Sequence, residues 1–425
     1  MTDLNEYAKG AGYMIPHLDI DFVRSQFPAF AEPTLAGQAF FENAGGSYTC
    51  RQVIDRLNRF YTQRKVQPYA SYAVSRAGGE EMDEARSRLA AMLNVETDEL
   101  SFGPSTSQNT YVLAQAFAET LSQGDVVIVT DQDHEANSGA WRRLASRGMR
   151  IREWHVDAET GQLETDRLAD LLDERVKLVC FPHCSNIVGQ ENPVSRIVKM
   201  AHAAGAVTCV DGVSMAPHGF PDIGALGTDI YLFSSYKTYG PHQGIMVVRR
   251  DLADRLANQA HFFNAGSRTK RFTPAGPDHA QVAAAAGMAD YVDALYDHHI
   301  GNGAGPAERT RIVTTMQRAH ENRTLAPLLE FLGSRNDARI LGRGDVGGDS
   351  GRVPTVALDT ARPAATIAEA LAGHGVMAGA GDFYALRTIG AMGCDAEAGV
   401  LRLSFVHYTT DAEVRQLMDG LDACL

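Results

Sequence analysis

Between about residue 85 and residue 300 the chain alternates short, nearly unbroken apolar runs with stretches whose apolar residues recur at helical spacing. The runs ELSFGP (99–104), DVVIVT (125–130), RIREWHV (150–156), VKLVCF (176–181), AVTCVD (206–211), DIYLFS (229–234) and GIMVVR (244–249) predict seven strands. Segments such as SQNTYVLAQAFAETL, ANSGAWRRLASRG, TDRLADLLDER and VSRIVKMAHAAG predict the helices between them. Strands that are apolar on both faces and separated by helices predict a mostly parallel sheet covered on each side. The last connection, YKTYGPHQ, is too short for a helical crossover, so the final pair is expected to be antiparallel.

After residue 300 the pattern changes. GNGAGPAE is a Gly-rich break, followed by a helical stretch from Arg309 to about Leu332. RVPTVALD, a helix over ATIAEALAGHG, VLRLSFVHY and a final amphipathic helix, DAEVRQLMDGLDACL, then predict a smaller α+β domain. The expected division is an N-terminal segment 1–40 packing with the small domain, a large domain 41–300 and a small C-terminal domain 301–425.

Composition narrows the function classes. The 425 residues are 44% hydrophobic and 21% charged, ordinary for a soluble globular protein and too many for one small core. A net charge of −13 with no basic block argues against nucleic acid or an anionic membrane as partner. No apolar run is long enough to span a bilayer, and the N-terminus lacks the basic-then-apolar pattern of a secretory signal. The six cysteines are scattered without metal-ligand spacing, which predicts a reducing cytoplasm, no disulfide framework and no metal.

The candidate chemistry gathers at predicted strand ends, where open α/β sheets bind ligands. Asp211 closes AVTCVD, and Lys237 follows the next strand in DIYLFSSYKTYGP. Alone, each is commonplace: a strand-end aspartate caps helices, and a lysine is usually a surface charge. Together they suit pyridoxal phosphate, the lysine forming a Schiff base and the carboxylate keeping the pyridine nitrogen protonated. Ser105 and Thr106 open a helix after the first strand and can receive a phosphate. His134 follows the second strand and can stack on an aromatic ring. His183, Ser185 and Asn186 follow the fourth, Ser214 the fifth, and Ser234 and Tyr236 the sixth.

With these residues in place the chain resembles the class V aminotransferase family of fold-type I pyridoxal-phosphate enzymes, especially its cysteine-desulfurase-like branch. The resemblance runs through FFENAGGS, DHEAN, HCSNIVGQENPV, VDGVSMAPHG, FSSYKTYGP and RLSFVHYTT, in the family's order and spacing. It implies an α/β fold with a mostly parallel seven-stranded large domain and a smaller α+β C-terminal domain. It further implies Lys237 as the Schiff-base lysine and proton shuttle, Asp211 at the pyridinium and His134 stacked on the ring. Thr106 with Ser105, and Ser234, would bind the phosphate. Asn186 would contact the cofactor or the substrate carboxylate, Arg402 would take that carboxylate in a bidentate pair, and Asn43, Ala44 and Gly45 would border the substrate. The segment 264–281, with Arg271 and His279, would reach the phosphate of a neighbouring subunit, making a homodimer with its active site at the subunit interface.

Three positions depart from the family pattern. Ser214 stands where desulfurases carry Gln, and Tyr236 where they carry His. Tyr384, in AGDFYA, stands at the nucleophilic cysteine of the desulfurase segment TGHHCA. Without that thiolate the expected reaction on a small amino acid is β-elimination (C–S lyase type) or transamination rather than persulfide transfer. Desulfuration through Cys394, racemisation or epimerisation with Tyr384 or His279 as a second base, and a catalytically silent cofactor-binding relative are the alternatives.

Overall fold

The computed structural model describes residues 16–301, 303–346 and 351–425; residues 1–15 of the expected N-terminal segment, and Asn302 in the predicted break, lie outside these. Strands β1 (Ala39–Phe40), β2 (Leu100–Gly103), β3 (Val126–Thr130), β4 (Arg150–Trp154), β5 (Val176–Pro182), β6 (Val207–Asp211), β7 (Ile230–Ser234) and β8 (Gly244–Val248) come first in the chain. The last seven of these form one sheet in the order β2-β8-β7-β6-β5-β3-β4. All pairings are parallel except those of β8, which runs antiparallel to both β7 and β2. The short YKTYGPHQ link therefore does what its length requires.

The unbroken apolar runs have a direct cause. Val126 and Ile128 of β3 face one core with Val210, Phe181 and Tyr231, while Val127 and Val129 face the other with Cys180, Cys209 and Trp141. Both faces of the strand are dry, so neither parity of position is polar. Helices α1 (Thr106–Ala118), α2 (Glu135–Arg142) and α3 (Val194–Ala203) pack over the sheet, each following a strand whose carboxyl end opens toward the site.

The smaller domain is α+β. After α4 (His279–Ala284) and the long α5 (Pro306–Gly333) come β9 (Ala338–Ile340), β10 (Thr355–Thr360), β11 (Val376–Met377), β12 (Gly379–Gly381), β13 (Val400–Ser404) and α6 (Asp411–Cys424). Four of these strands make an antiparallel sheet in the order β12-β13-β10-β9. Its core joins Leu325, Leu328 and Leu332 of α5 to Leu401, Leu403, Leu417 and Leu421. β1 was not expected from the sequence. It pairs in parallel with β11, and Phe41 enters the same small-domain core. Two-residue strands carry too little periodicity to be read. Among the described residues no helix is long and apolar enough to cross a membrane.

Candidate active site

The carboxyl ends of β3, β5, β6 and β7 surround a cavity lined among others by Thr106, Ser107, His134, Asn186, Asp211 and Lys237. Ser214, Ser234 and Tyr236 complete its polar wall. Residues separated by more than a hundred positions thus converge because strand order, not chain order, sets who is adjacent.

Lys237 sits in a tight turn directly after β7. The turn is locked by Ser235, whose Oγ donates to the carbonyls of Pro241 (2.6 Å) and Gln243 (3.0 Å), and by N–H bonds from Thr238 and Gly240 to Ser235 O at 2.8 Å. Ser47 Oγ donates to Lys237 O at 2.8 Å, pinning the turn from the N-terminal side. Burial, and then the nearby Arg402 charge, bring the Lys237 amine down to about 8. Asp211 is the last residue of β6. Burial pushes its carboxyl up to about 6, against one N–H bond from Val213 at 2.8 Å and the attraction of Lys237. A cation held against that carboxylate would relieve the penalty, as expected of a partner for a protonated ring nitrogen.

His134 caps α2, its Nδ1 accepting the Ala136 N–H at 3.0 Å. Burial, Lys237 and Arg402 together hold it down to about 3, so the ring is neutral and carries its proton on Nε2. Behind it, buried Asp133 accepts from Thr130 Oγ1 at 2.5 Å and Asn137 Nδ2 at 2.8 Å, which braces the turn presenting the imidazole. At the other end of the cavity Thr106 Oγ1 and Ser234 Oγ lie 2.7 Å apart at the N-terminus of α1. Hydroxyls and free helix N–H groups there form a ready anion cradle.

Not every candidate reaches this cavity. Ser105 is the N-cap of α1, its Oγ accepting the Gln108 N–H at 3.2 Å, and Ser107 lines the cavity instead. A helix's second residue follows directly from its cap, so Ser107 was readable once the cap was assigned. Asn43 is buried against Tyr408 and gives its Nδ2 to Phe40 O and Ser404 O at 3.3 Å. Ala44 and Gly45 bind the Ser404 hydroxyl and Glu42 O through their N–H groups, between β13 and the Lys237 turn. His279 opens α4 beside Lys65 and is not among the cavity-lining residues. His183 gives Nδ1 to a 2.8 Å bond with Tyr231 OH.

Asn186 lines the cavity, donates Nδ2 to Phe383 O at 3.0 Å, and keeps its Oδ1 buried with no hydrogen-bond partner among the described residues. Arg402, on β13, lies behind it with Nη1 3.4 Å from Asn186 O. Tyr384 arrives from the small domain. Its ring tilts at 34° over His134, 5.2 Å between centroids, and its carbonyl accepts the Glu135 N–H at 2.8 Å.

The donor set fits pyridoxal phosphate: a buried amine of lowered basicity, a buried carboxylate seeking a cation, a neutral imidazole and a hydroxyl-lined helix terminus. The comparisons agree. Residues 39–417 match the aminotransferase class-V family. The aminotransferase-like protein FGM3 of Gibberella zeae is 31% identical, over 96% of this chain and 98% of that protein. A probable cysteine desulfurase 2 of Mycobacterium leprae is 29% identical over 95% of this chain and 96% of that one. The cysteine desulfurase CsdA of Escherichia coli superposes with a TM-score of 0.79 at 21% identity, covering 96% of this chain and 99% of that one. The chain belongs to the aminotransferase class-V family and has the α/β architecture of fold-type I pyridoxal-phosphate enzymes.

Proposed function

We propose that the protein uses pyridoxal phosphate, fixed on Lys237, to carry out β-elimination or transamination on a small amine-bearing substrate, and that it does not transfer persulfide. The observation that carries the last part is the residue at the desulfurase cysteine position. By the sequence resemblance that residue is Tyr384, which has no sulfur; its ring lies 5.2 Å from that of His134 and its carbonyl accepts the Glu135 N–H. Cys394, the alternative thiol, is absent from the cavity lining. It lies 3.0 Å from Arg339 Nη2, and burial pushes it up to about 11, so it is held as a weakly nucleophilic thiol.

In this reading Thr106, Ser107 and Ser234 hold the phosphate, and Asp211 holds the proton on the ring nitrogen. His134, being neutral, packs on the ring without competing for that charge. Bound there, the cofactor supplies an electron sink for charge developing next to the substrate nitrogen. Lys237 Nζ, an amine of lowered basicity, would take and return the proton at the carbon next to the substrate nitrogen. Arg402 orients a substrate carboxylate.

A homodimer is supported by the segment before α4, where Phe262 and Phe263 are 88% and 72% exposed. By the sequence resemblance, Arg271 and His279 would reach the site of a second copy. The six free cysteines support a reducing, cytoplasmic setting.

Proton NMR of the holoenzyme with L-cysteine and a panel of amino acids in heavy water tests the reaction. Pyruvate with ammonia, or keto acid with aminated cofactor, is the expected outcome. Alanine with sulfide from cysteine would contradict the reading.

A further inference from the structure

Arg402 is not waiting with an open fork. The residue is 3% exposed, its Nη2 lies 2.7 Å from Glu42 Oε1, and its Cζ sits over the Phe383 ring, 3.7 Å from the ring centre. Its Nε is buried without a hydrogen-bond partner among the described residues, as is Glu42 Oε2. An internal carboxylate therefore already occupies the cation that a substrate carboxylate would seek.

The backbone makes room for that carboxylate. Glu42 bridges to Ser404, which puts it diagonally beside Arg402 on the neighbouring strand. Gly379 lies directly across the β12–β13 ladder from Arg402. A Cβ at Gly379 would lie 2.2 Å from Glu42 Oε2, and one at Gly45 would lie 2.8 Å from Oε1. Two glycines, from opposite ends of the chain, form a slot that no other residue type could leave open. Yet the Glu42 side chain is 29% exposed, so it can turn out to solvent without crossing the core.

We propose that Glu42 is the resident counter-ion of Arg402 and sets the substrate class of the site: amines without an α-carboxylate bind with the Glu42–Arg402 pair intact, and amino acids bind only by displacing Glu42. The proposal rests on the reading of Arg402 as the substrate-carboxylate partner. Its physical content is charge balance. With Glu42 in its slot the arginine is neutralised, and a substrate lacking a carboxylate leaves no buried charge unpaired. A second carboxylate on the same guanidinium would face Glu42 as a like charge at a buried site where the arginine offsets only one of the two, so keeping both is costly and displacement of Glu42 is favoured. Glu42 also reaches the reactive amine, since its charge raises the Lys237 basicity that Arg402 lowers. One residue thereby links substrate class to the state of the lysine.

The test is equilibrium titration of the holoenzyme with two pairs of ligands that differ only in the α-carboxylate. These are L-alanine with ethylamine and L-phenylalanine with phenethylamine, followed through the visible band of the bound cofactor. In Glu42→Gln the amino acids are expected to bind about tenfold tighter, while the amines change by less than about twofold. Gly379→Ala, whose methyl group would meet Glu42 Oε2, evicts the carboxylate without removing it and is expected to tighten amino acids in the same direction. Equal changes for both ligand classes, weaker amino-acid binding in Glu42→Gln, or no response of either protein to an amino acid would overturn the proposal. A retained visible band in each variant keeps the cofactor assignment separate from this outcome.

Discussion

At pH 7.5 a lysine of ordinary basicity is almost wholly an ammonium ion and a poor nucleophile. Lys237 differs because the fold removes its water and places Arg402 close by, which lowers its pKa to about 8. Roughly a quarter of the molecules would then carry the free amine at pH 7.5, against about one in a thousand for an unperturbed lysine. The sign is fixed: only the deprotonated form attacks a carbonyl, so the reactive fraction rises with pH and saturates above the folded-state value. Cofactor capture by the apo-protein is accordingly expected to accelerate through a midpoint near 8 and to level off above it, as measured by stopped-flow absorbance. A midpoint near 10 would mean that the amine is solvated. At this scale the sequence was informative where a residue's chemistry is unusual in its setting, as with Lys237, Asp211 and His134. It was uninformative about Glu42, which sits inside FFENAGGS with no signal that its carboxylate turns toward an arginine 360 positions away.

Among the elements, the turn between β12 and the helix Leu386–Ala391 is under strain. Phe383 and Tyr384 have φ of 51° and 57°, two consecutive non-glycine residues in the left-handed region. Tyr384 is also 70% exposed, so its ring recovers little by burial. What holds the turn is polar. Asp382 Oδ1 accepts the Tyr384 N–H at 2.6 Å, Glu135 N–H binds Tyr384 O, and Asn186 Nδ2 binds Phe383 O. The small domain thus reaches over the cavity and is tied to it by backbone. Relieving one left-handed residue is expected to make Tyr384→Gly more stable than Tyr384→Ala by about 1 kcal/mol in chemical denaturation. Equal stabilities would mean that the turn relaxes in solution. The long strands and helices were legible where each keeps one period over several turns or residues, as α3 does with Val194, Ile197, Val198 and Ala201 on its buried face. This turn was not, since neither Phe nor Tyr advertises positive φ.

On the scale of the whole molecule the large domain lines the cavity and the small domain borders it. The large sheet brings Thr106, His134, Asp211 and Lys237 to one edge, and the small domain adds Arg402 and Tyr384 from above. Residues 39–47 stitch the two together, pairing with β11 and β13 on one side and with the Tyr236–Lys237 turn on the other. The alternation of strands and helices made the large domain readable, and with it the convergence of strand-end residues. How the domains face each other depends on contacts far apart in the chain, to which local periodicity is blind. The cofactor is expected to be held through one particular lysine. Borohydride reduction of the purified protein, followed by peptide mass mapping, tests it most directly. The pyridoxyl mass increment is expected on the peptide containing Lys237 and to vanish in Lys237→Ala together with the visible band. An increment on another lysine, or a band that survives the substitution, would mean that Lys237 is not the residue that holds the cofactor.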